Sequence, residues 1–178
     1  MGRPKALLQF EGESFLDRLI SRFGGICDPI IVVLGYDSAR IREGIRAASQ
    51  VSFAINPDPQ RGMLSSLQCG LAELPANTGA ALFTPVDLPA ITRSTIAAVA
   101  ASDSAVTIPR YSGHNGHPVR ISRAIAGELL SLPAGAQARD VLHRHRDATT
   151  FIDVDDPAIL HDVDTPQEYE ALIAGAQR

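Results

Sequence analysis

Short apolar runs alternate along the chain with stretches whose apolar residues recur every three or four positions, an order that predicts strands connected by helices. Phe15, Leu16, Leu19, Ile20 and Phe23 share one helical face, so 14–23 reads as a helix capped by Ser14 and Asp17 and stopped by Gly24 and Gly25. Its apolar stripe should lie on a sheet. The uninterrupted run at 30–34, ending at Gly35, has the pattern of a strand covered on both faces. A helix at 38–48 and a strand at 51–55 follow. Asn56-Pro57-Asp58-Pro59-Gln60-Arg61-Gly62 cannot extend that strand, because proline removes a ladder donor and biases the residue before it. It is a loop. It leads into a helix at 63–74, where Leu64, Leu67, Leu71 and Leu74 keep helical spacing.

The next buried strand falls at 80–84 and runs straight into Pro85-Val86-Asp87-Leu88-Pro89. A helix at 92–101, a strand at 105–108, a turn-rich loop at 111–116 and a brief strand at 119–121 come after it. Helices at 122–130 and 138–146, a strand at 150–154 and a last helix from Pro166 complete the chain. The class is α/β, with parallel strands joined by crossover helices and no repeat or linker dividing them.

A length of 178 residues suits one domain, 1–178, and a hydrophobic share of 45% supplies a sizeable core, which excludes general disorder. No apolar run approaches the ~20 residues needed to cross a bilayer and no cationic-then-apolar leader is seen, so the expectation is a cytoplasmic, unprocessed protein without a membrane partner. The net charge of −4 provides no field for nucleic acid, although a few local cations could hold a small anion. Cys27 and Cys69 are too few and too far apart for a disulfide framework or a thiolate zinc site.

Asp87 is the most informative residue for chemistry. It lies just past the carboxyl end of a predicted central strand, where ligands bind to open α/β sheets, with prolines on both sides. Two readings are open: a ligand to a hard cation such as Mg²⁺, or a turn aspartate bonded to local amides. A second carboxylate comes from His161-Asp162-Val163-Asp164-Thr165-Pro166-Gln167-Glu168, in which Thr165, Pro166 and Glu168 form a capping box. The helix dipole accounts for Asp164, whereas the cap has no need of Asp162. Asp162 is therefore taken as the metal ligand, with Asp164 in reserve.

Gly2, Arg3 and Lys5 form a small cationic loop, open to two readings: phosphate binding through amides and the Lys5 charge, or a disordered amino terminus. Gly62 and the first-turn amides of the following helix, with Ser65 and Ser66, could contact a base or sugar, or serve only to cap the helix. His143 and His145, two apart on a predicted helix, point to different sides and make a poor metal pair. His117 sits between a flexible loop and a strand, either facing a ligand or buried and hydrogen-bonded. No Gly-x-Ser-x-Gly elbow, Walker loop or Gly-x-Gly-x-x-Gly is present.

Taken together, Met1-Gly2-Arg3-Pro4-Lys5-Ala6-Leu7-Leu8, the 56–70 segment, Pro85-Val86-Asp87-Leu88-Pro89, Gly116-His117-Pro118-Val119, Gly135-Ala136-Gln137-Ala138-Arg139 and Asp162-Val163-Asp164-Thr165-Pro166 resemble the MobA-like nucleotidyltransferase family, nearest its molybdenum cofactor cytidylyltransferases. The resemblance implies a Rossmann-like, mostly parallel sheet flanked by helices, of the nucleotide-diphospho-sugar transferase type. It implies an NTP, with CTP preferred to GTP, a phosphorylated pterin-type acceptor, a client molybdoenzyme and Mg²⁺. Lys5 would neutralise triphosphate charge, and Gly2, Arg3, Asn56, Gly62, Ser65 and Ser66 would hold the nucleotide. Asp87 with Asp162 would hold the metal, while His117 and Arg139 would lie toward the acceptor. Family members carry an apolar strand and Leu-Ala-Ala-Gly-x-Ser-x-Arg just before the Met-Gly-x-Pro-Lys motif. Here the motif stands at the start, so an upstream beginning is expected, and a non-catalytic nucleotide or cofactor carrier is the competing expectation.

Overall fold

The computed structural model describes residues 2–176. A 3-10 turn at Lys5–Leu7 leads into a hairpin of β1 (Gln9–Phe10) and β2 (Glu13–Ser14), with Glu11 and Gly12 at positive φ in its turn. Helix α1 (Phe15–Phe23) follows directly. Its capping pair forms as the sequence predicts: the Asp17 amide donates to Ser14 Oγ at 3.0 Å, and the Ser14 hydroxyl donates to Asp17 Oδ2 at 2.6 Å. The other Asp17 oxygen accepts from the Arg46 and Ala47 amides, at 2.8 and 2.9 Å, tying the helix start to the next unit.

Strand β3 (Ile31–Leu34) pairs in parallel with β4 (Ser52–Ile55) across α2 (Ser38–Gly44). The predicted helix at 38–48 stops at Gly44; the rest of it is a coil and a 3-10 turn at Ala48–Gln50 that brings Ile45 and Ala47 inward. The chain then runs through α3 (Met63–Ala72), β5 (Ala80–Phe83) and α4 (Arg93–Ala100) to β6 (Val106–Tyr111). The expected 111–116 loop is a hairpin, in which β7 (His114–Asn115) folds back on β6 about Ser112 and Gly113 at positive φ. Strand β8 (Val119–Ser122), helix α5 (Arg123–Leu130), helix α6 (Ala138–Arg144), strand β9 (Thr149–Asp153) and helix α7 (Pro166–Ala176) complete the fold.

Strand β8 lies antiparallel between β5 and β6, and β9 runs parallel to β6, so β5, β6 and β9 share one direction. Helix α3 leaves the carboxyl end of β4 and returns across β3, where a Cβ on Gly70 would stand 2.8 Å from Val33. A short connection then starts β5, which fixes β5 in the same direction as β3 and β4. The result is a mixed, mostly parallel α/β sheet flanked by helices.

The core has four parts, one of them formed by Leu8, Phe10, Phe15 and Val163. Leu16 and Ile20 pack on Val32, Leu34, Ile41 and Ile45; Leu19 and Phe23 pack on Leu88, Ile91 and Ile96; α3, α5 and α6 close over β6 and β8. Between β3 and β5 lies a largely apolar cleft of about 590 Å³. No helix among the described residues is long and apolar enough to cross a membrane.

Candidate active site

Chain order alone would not bring residues 5, 87 and 164 together; the fold places all three at the carboxyl end of β5. The Asp87 loop is held from two sides. Arg18, buried to 7% exposure within α1, donates from Nε to the Pro89 carbonyl at 3.1 Å. The Val163 amide donates to the Asp87 carbonyl at 2.9 Å, which fastens the 162–164 segment alongside. Arg18 also pairs with Glu11 and Glu13 and lies over the Phe10 ring, 4.7 Å from its centroid, so the hairpin, α1 and the Asp87 loop form one unit.

Lys5 Nζ donates to Asp87 Oδ2 at 3.2 Å and to Asp164 Oδ1 in a second, shorter bond. Burial by itself would lower the Lys5 pKa, but the hydrogen bonds and charges of Asp164 and Asp87 outweigh it, and the ammonium is held above its usual range. The Lys5 bond in turn holds Asp164 below the usual carboxylate range, with a smaller contribution from Asp162 beside it. One cation from near the amino terminus thus bridges a carboxylate from the middle of the chain and another from near its carboxyl end. A donor pair of this kind suits Mg²⁺, which takes one or two carboxylates together with substrate phosphates.

The capping box beneath Asp164 forms as the sequence predicts. Glu168 Oε2 accepts from the Asp164 and Thr165 amides at 2.8 and 2.7 Å, and the Glu168 amide donates to Thr165 Oγ1 at 3.2 Å. These amides hold the Glu168 carboxyl below its ordinary pKa. Buried Val163 fixes the alternation, leaving Asp162 and Asp164 exposed on the same side. Asp164 is the one that reaches Lys5, and Asp162 forms no ion pair among the described residues.

In the 56–66 loop the sequence-predicted residues turn toward one another. Buried Asn56 donates from Nδ2 to Ser65 Oγ and Ser66 Oγ, both at 2.9 Å, and its Oδ1 accepts from the Asp58 amide at 3.0 Å. Ser65 Oγ donates to the Gly62 carbonyl at 2.8 Å. Asn56 and Ser65 therefore stiffen the loop, and half-buried Ser66 faces the cleft. Gly62, at φ +88°, makes the turn into α3, and its carbonyl accepts from the Ser65 amide at 3.2 Å, which leaves the Met63 and Leu64 amides at the open helix start.

His117 packs edge-on against Phe83, the last residue of β5, with ring centroids 6.0 Å apart. Its amide donates to the Ile159 carbonyl at 3.2 Å, and Gly116 is needed beside it because a Cβ there would stand 2.4 Å from that same oxygen. Burial lowers the His117 pKa against weaker opposing effects of the Phe83 backbone and the Asp87 charge, so the ring is neutral at pH 7. Its Nδ1 is buried without a partner among the described residues. Arg139 is exposed in the first turn of α6 and forms no ion pair among the described residues. Gly2 and Arg3 are exposed before the Lys5 turn, Gly2 at φ +63°. His145, placed by the sequence on the same helix as His143, caps that helix instead and pairs with Glu128 at 2.8 Å, far from this chemistry in role.

Sequence reasoning missed Arg18 as the residue that positions the Asp87 loop. The available signal was an arginine within a helix otherwise committed to the core, and it pointed to no particular partner.

Residues 1–149 match the MobA-like NTP transferase domain. The chain is 27% identical over 172 residues to the molybdenum cofactor cytidylyltransferase of Escherichia coli (strain K12), spanning 95% of this chain and 86% of that protein. Its fold superimposes on the Mycobacterium tuberculosis Rv0371c homologue from Mycobacterium sp. strain JC1 with a TM-score of 0.86 and 26% identity, covering 100% of this chain and 90% of that one. A manganese complex of Rv0371c from Mycobacterium tuberculosis H37Rv superimposes with a TM-score of 0.80 and 25% identity, covering 97% and 93%. With a matching domain over most of its length and the same fold in these relatives, the chain belongs to the MobA-like NTP transferase family of nucleotidyltransferases.

Proposed function

We propose that this protein transfers CMP, with GMP as the lesser alternative, from an NTP to the phosphate of a molybdopterin-type acceptor, releasing pyrophosphate. The observation that carries this reading is the Lys5 ammonium held between Asp87 and Asp164 at the carboxyl end of β5. The similarity to a molybdenum cofactor cytidylyltransferase across nearly the whole chain supports the choice of acceptor and of cytosine.

The acceptor phosphate attacks the α-phosphorus in line, and the bond from that phosphorus to the bridging oxygen of pyrophosphate breaks. No protein nucleophile is needed, so the chain contributes alignment and charge stabilisation. Lys5 exchanges its carboxylate partners for the triphosphate as the nucleotide arrives, carrying one positive charge to the departing pyrophosphate. Asp87, with Asp164 and the adjacent Asp162, would hold Mg²⁺, which when bound supplies charge neutralisation at the phosphates. Gly2 and Arg3 extend the phosphate contacts from the same turn. Gly62, Ser66 and the first amides of α3 receive the base and ribose, on a loop kept rigid by Asn56 and Ser65. Neutral His117 offers a ring nitrogen on the acceptor side of Asp87, and Arg139 attracts the acceptor's phosphate. The reaction suits a cytoplasmic enzyme that hands its product to a client molybdoenzyme.

The test is pyrophosphate release by the purified protein with molybdopterin, Mg²⁺ and either CTP or GTP. Turnover that depends on the acceptor and is faster with CTP is expected. Nucleotide binding without turnover would replace this reading with that of a carrier.

A further inference from the structure

Asp156 is a carboxylate buried to 3% exposure, and its bonds come from uncharged donors. Its Oδ2 accepts from the Thr92 amide at 2.9 Å, the Thr92 hydroxyl at 2.8 Å and the Thr95 hydroxyl at 2.7 Å, and its Oδ1 accepts from the Ala158 amide at 3.2 Å. Three of these donors lie at the start of α4, where the helix dipole favours a negative charge. The fourth caps a 3-10 turn at Pro157–Leu160. Capping that turn takes only the Ala158 bond, so the other three serve a different end.

That end is set by where the two joined pieces lead. Thr92 closes the loop that carries Asp87, and Arg18 holds the same loop at Pro89. On the other side, the 3-10 turn backs Gly116 and His117: the Ile159 carbonyl accepts from the His117 amide at 3.2 Å, and Ile159 is 1% exposed. The nearest anchor to Ile159 is Asp156, three residues before it, whose carbonyl also accepts from the Ile159 amide at 3.4 Å. Beyond the turn the chain reaches Val163, bonded to the Asp87 carbonyl, and Asp164, paired with Lys5. Residues 156–164 are thus a strap fixed to α4, His117, the Asp87 loop and Lys5. Its far end has further support, because Lys5 and Arg18 both hold the Asp87 loop.

We propose that Asp156 is a positioning residue: through the 157–160 turn it sets where His117 stands relative to Asp87, and so holds the acceptor side of the site in register with the metal side. The role rests on the reaction proposed above, in which Asp87 serves the metal and triphosphate and His117 the acceptor. In an in-line displacement, an error of ~1 Å in placing one reactant costs on the order of a hundredfold in rate. A rigid joint away from the reacting groups meets that demand. An ionised carboxylate suits the joint because it only accepts, and every group that reaches it from α4 and the turn is a donor.

Two readouts test it, one of them independent of the reaction. Asp156→Asn keeps the volume but sets an NH₂ group against either the α4 donors or the Ala158 amide. Thr95→Val removes one bond to Asp156 at nearly equal shape, and Thr95→Ser keeps the hydroxyl. In the free protein, hydrogen exchange at the His117 amide should quicken roughly tenfold or more in Asp156→Asn relative to the amides of α5, less in Thr95→Val, and not in Thr95→Ser. Steady-state kinetics with molybdopterin, Mg²⁺ and CTP should show kcat/KM for the acceptor falling by about tenfold or more in Asp156→Asn, while KM for CTP stays within about twofold. Exchange of the His117 amide at the parent rate overturns the proposal. So does a rise in KM for CTP as large as the loss on the acceptor, which a general loosening of the site would give. Should Asp156→Asn fail to fold, Thr95→Val is read at the same amide, where selective acceleration supports the joint and its absence overturns it. A parent protein that binds CTP but transfers nothing to molybdopterin would defeat the proposed reaction, and the His117 amide would still decide whether Asp156 holds His117 in place.

Discussion

Lys5 and Asp87, 82 residues apart, meet at 3.2 Å because two separate devices aim them at one point: a 3-10 turn near the amino terminus and a proline-bounded loop pinned by Arg18. Both groups are partly exposed, at 30% and 21%, so their ion pair adds little to stability and is free to serve binding. Lys5→Ala should lower turnover by roughly a hundredfold or more, as expected for a lost charge at a phosphoryl-type transition state. Its thermal midpoint should stay within about 2 °C of the parent. Removing the ammonium also leaves Asp87 and Asp164 facing each other uncompensated, so this variant should bind Mn²⁺ more tightly without nucleotide. Titration calorimetry checks the sign, and weaker metal binding in Lys5→Ala would break the link between the carboxylate pair and the cation.

The paired aspartates are separable by substitution. Asp164 pairs with Lys5 while Asp162 does not, so Asp164→Asn should impair metal-dependent turnover more than Asp162→Asn does. Asp87→Asn should impair it most, since Asp87 is the least exposed of the acidic groups around Lys5 and its volume is unchanged by the substitution. Metal-concentration curves for the three variants give the order. A larger effect at Asp162 would return the metal to the carboxylate that the helix cap has no need of.

The divergence between those two aspartates shows what was legible in the sequence. Local rules located the Thr165 cap, the Ser14–Asp17 pair, the strand–loop–helix passage through Gly62 and the turn after β5, because each depends on residues within a few positions of one another. Which aspartate reaches Lys5 depends on a bond between Val163 and the Asp87 backbone, a contact across 76 positions that no periodicity encodes. Asn56 is a second case. The resemblance implies a nucleotide contact for it, and the fold adds a role that no local pattern encodes, bringing Ser65 and Ser66 to its amide so that it braces the loop. The hairpin at 9–14 escaped notice since its strands are two residues each, too short for an alternating pattern.

That brace makes a prediction about selectivity. Asn56→Ala removes the two bonds to Ser65 and Ser66 and the acceptor for the Asp58 amide, leaving a buried gap in the loop before α3. Loosening should raise KM for the nucleotide several-fold with a smaller change in kcat, because the loop orders the base and not the reacting phosphates. It should also narrow the ratio of CTP to GTP turnover. Steady-state kinetics with both nucleotides decides this, and a fall in kcat at unchanged KM would place Asn56 in the chemical step instead.

His117 gives the fold a defined pH dependence. Burial depresses its folded-state pKa, so the native protein binds fewer protons than the unfolded chain wherever the pH lies between that value and the unfolded one, near 6.5. In that interval stability rises with pH; it is fully present above about 6.5 and declines as the pH falls through it. Asp164 and Glu168, both held low, act in a separate and more acidic range, where protonating them removes the Lys5 and capping-box bonds. Chemical denaturation at a series of pH values should therefore show a first loss of stability below about pH 6.5 and a second below the ordinary carboxylate range. His117→Asn, which cannot titrate and keeps a polar group near Phe83, should flatten the first loss and leave the second in place. A profile unchanged between pH 5 and 7 in that variant would remove His117 as the cause of the first loss.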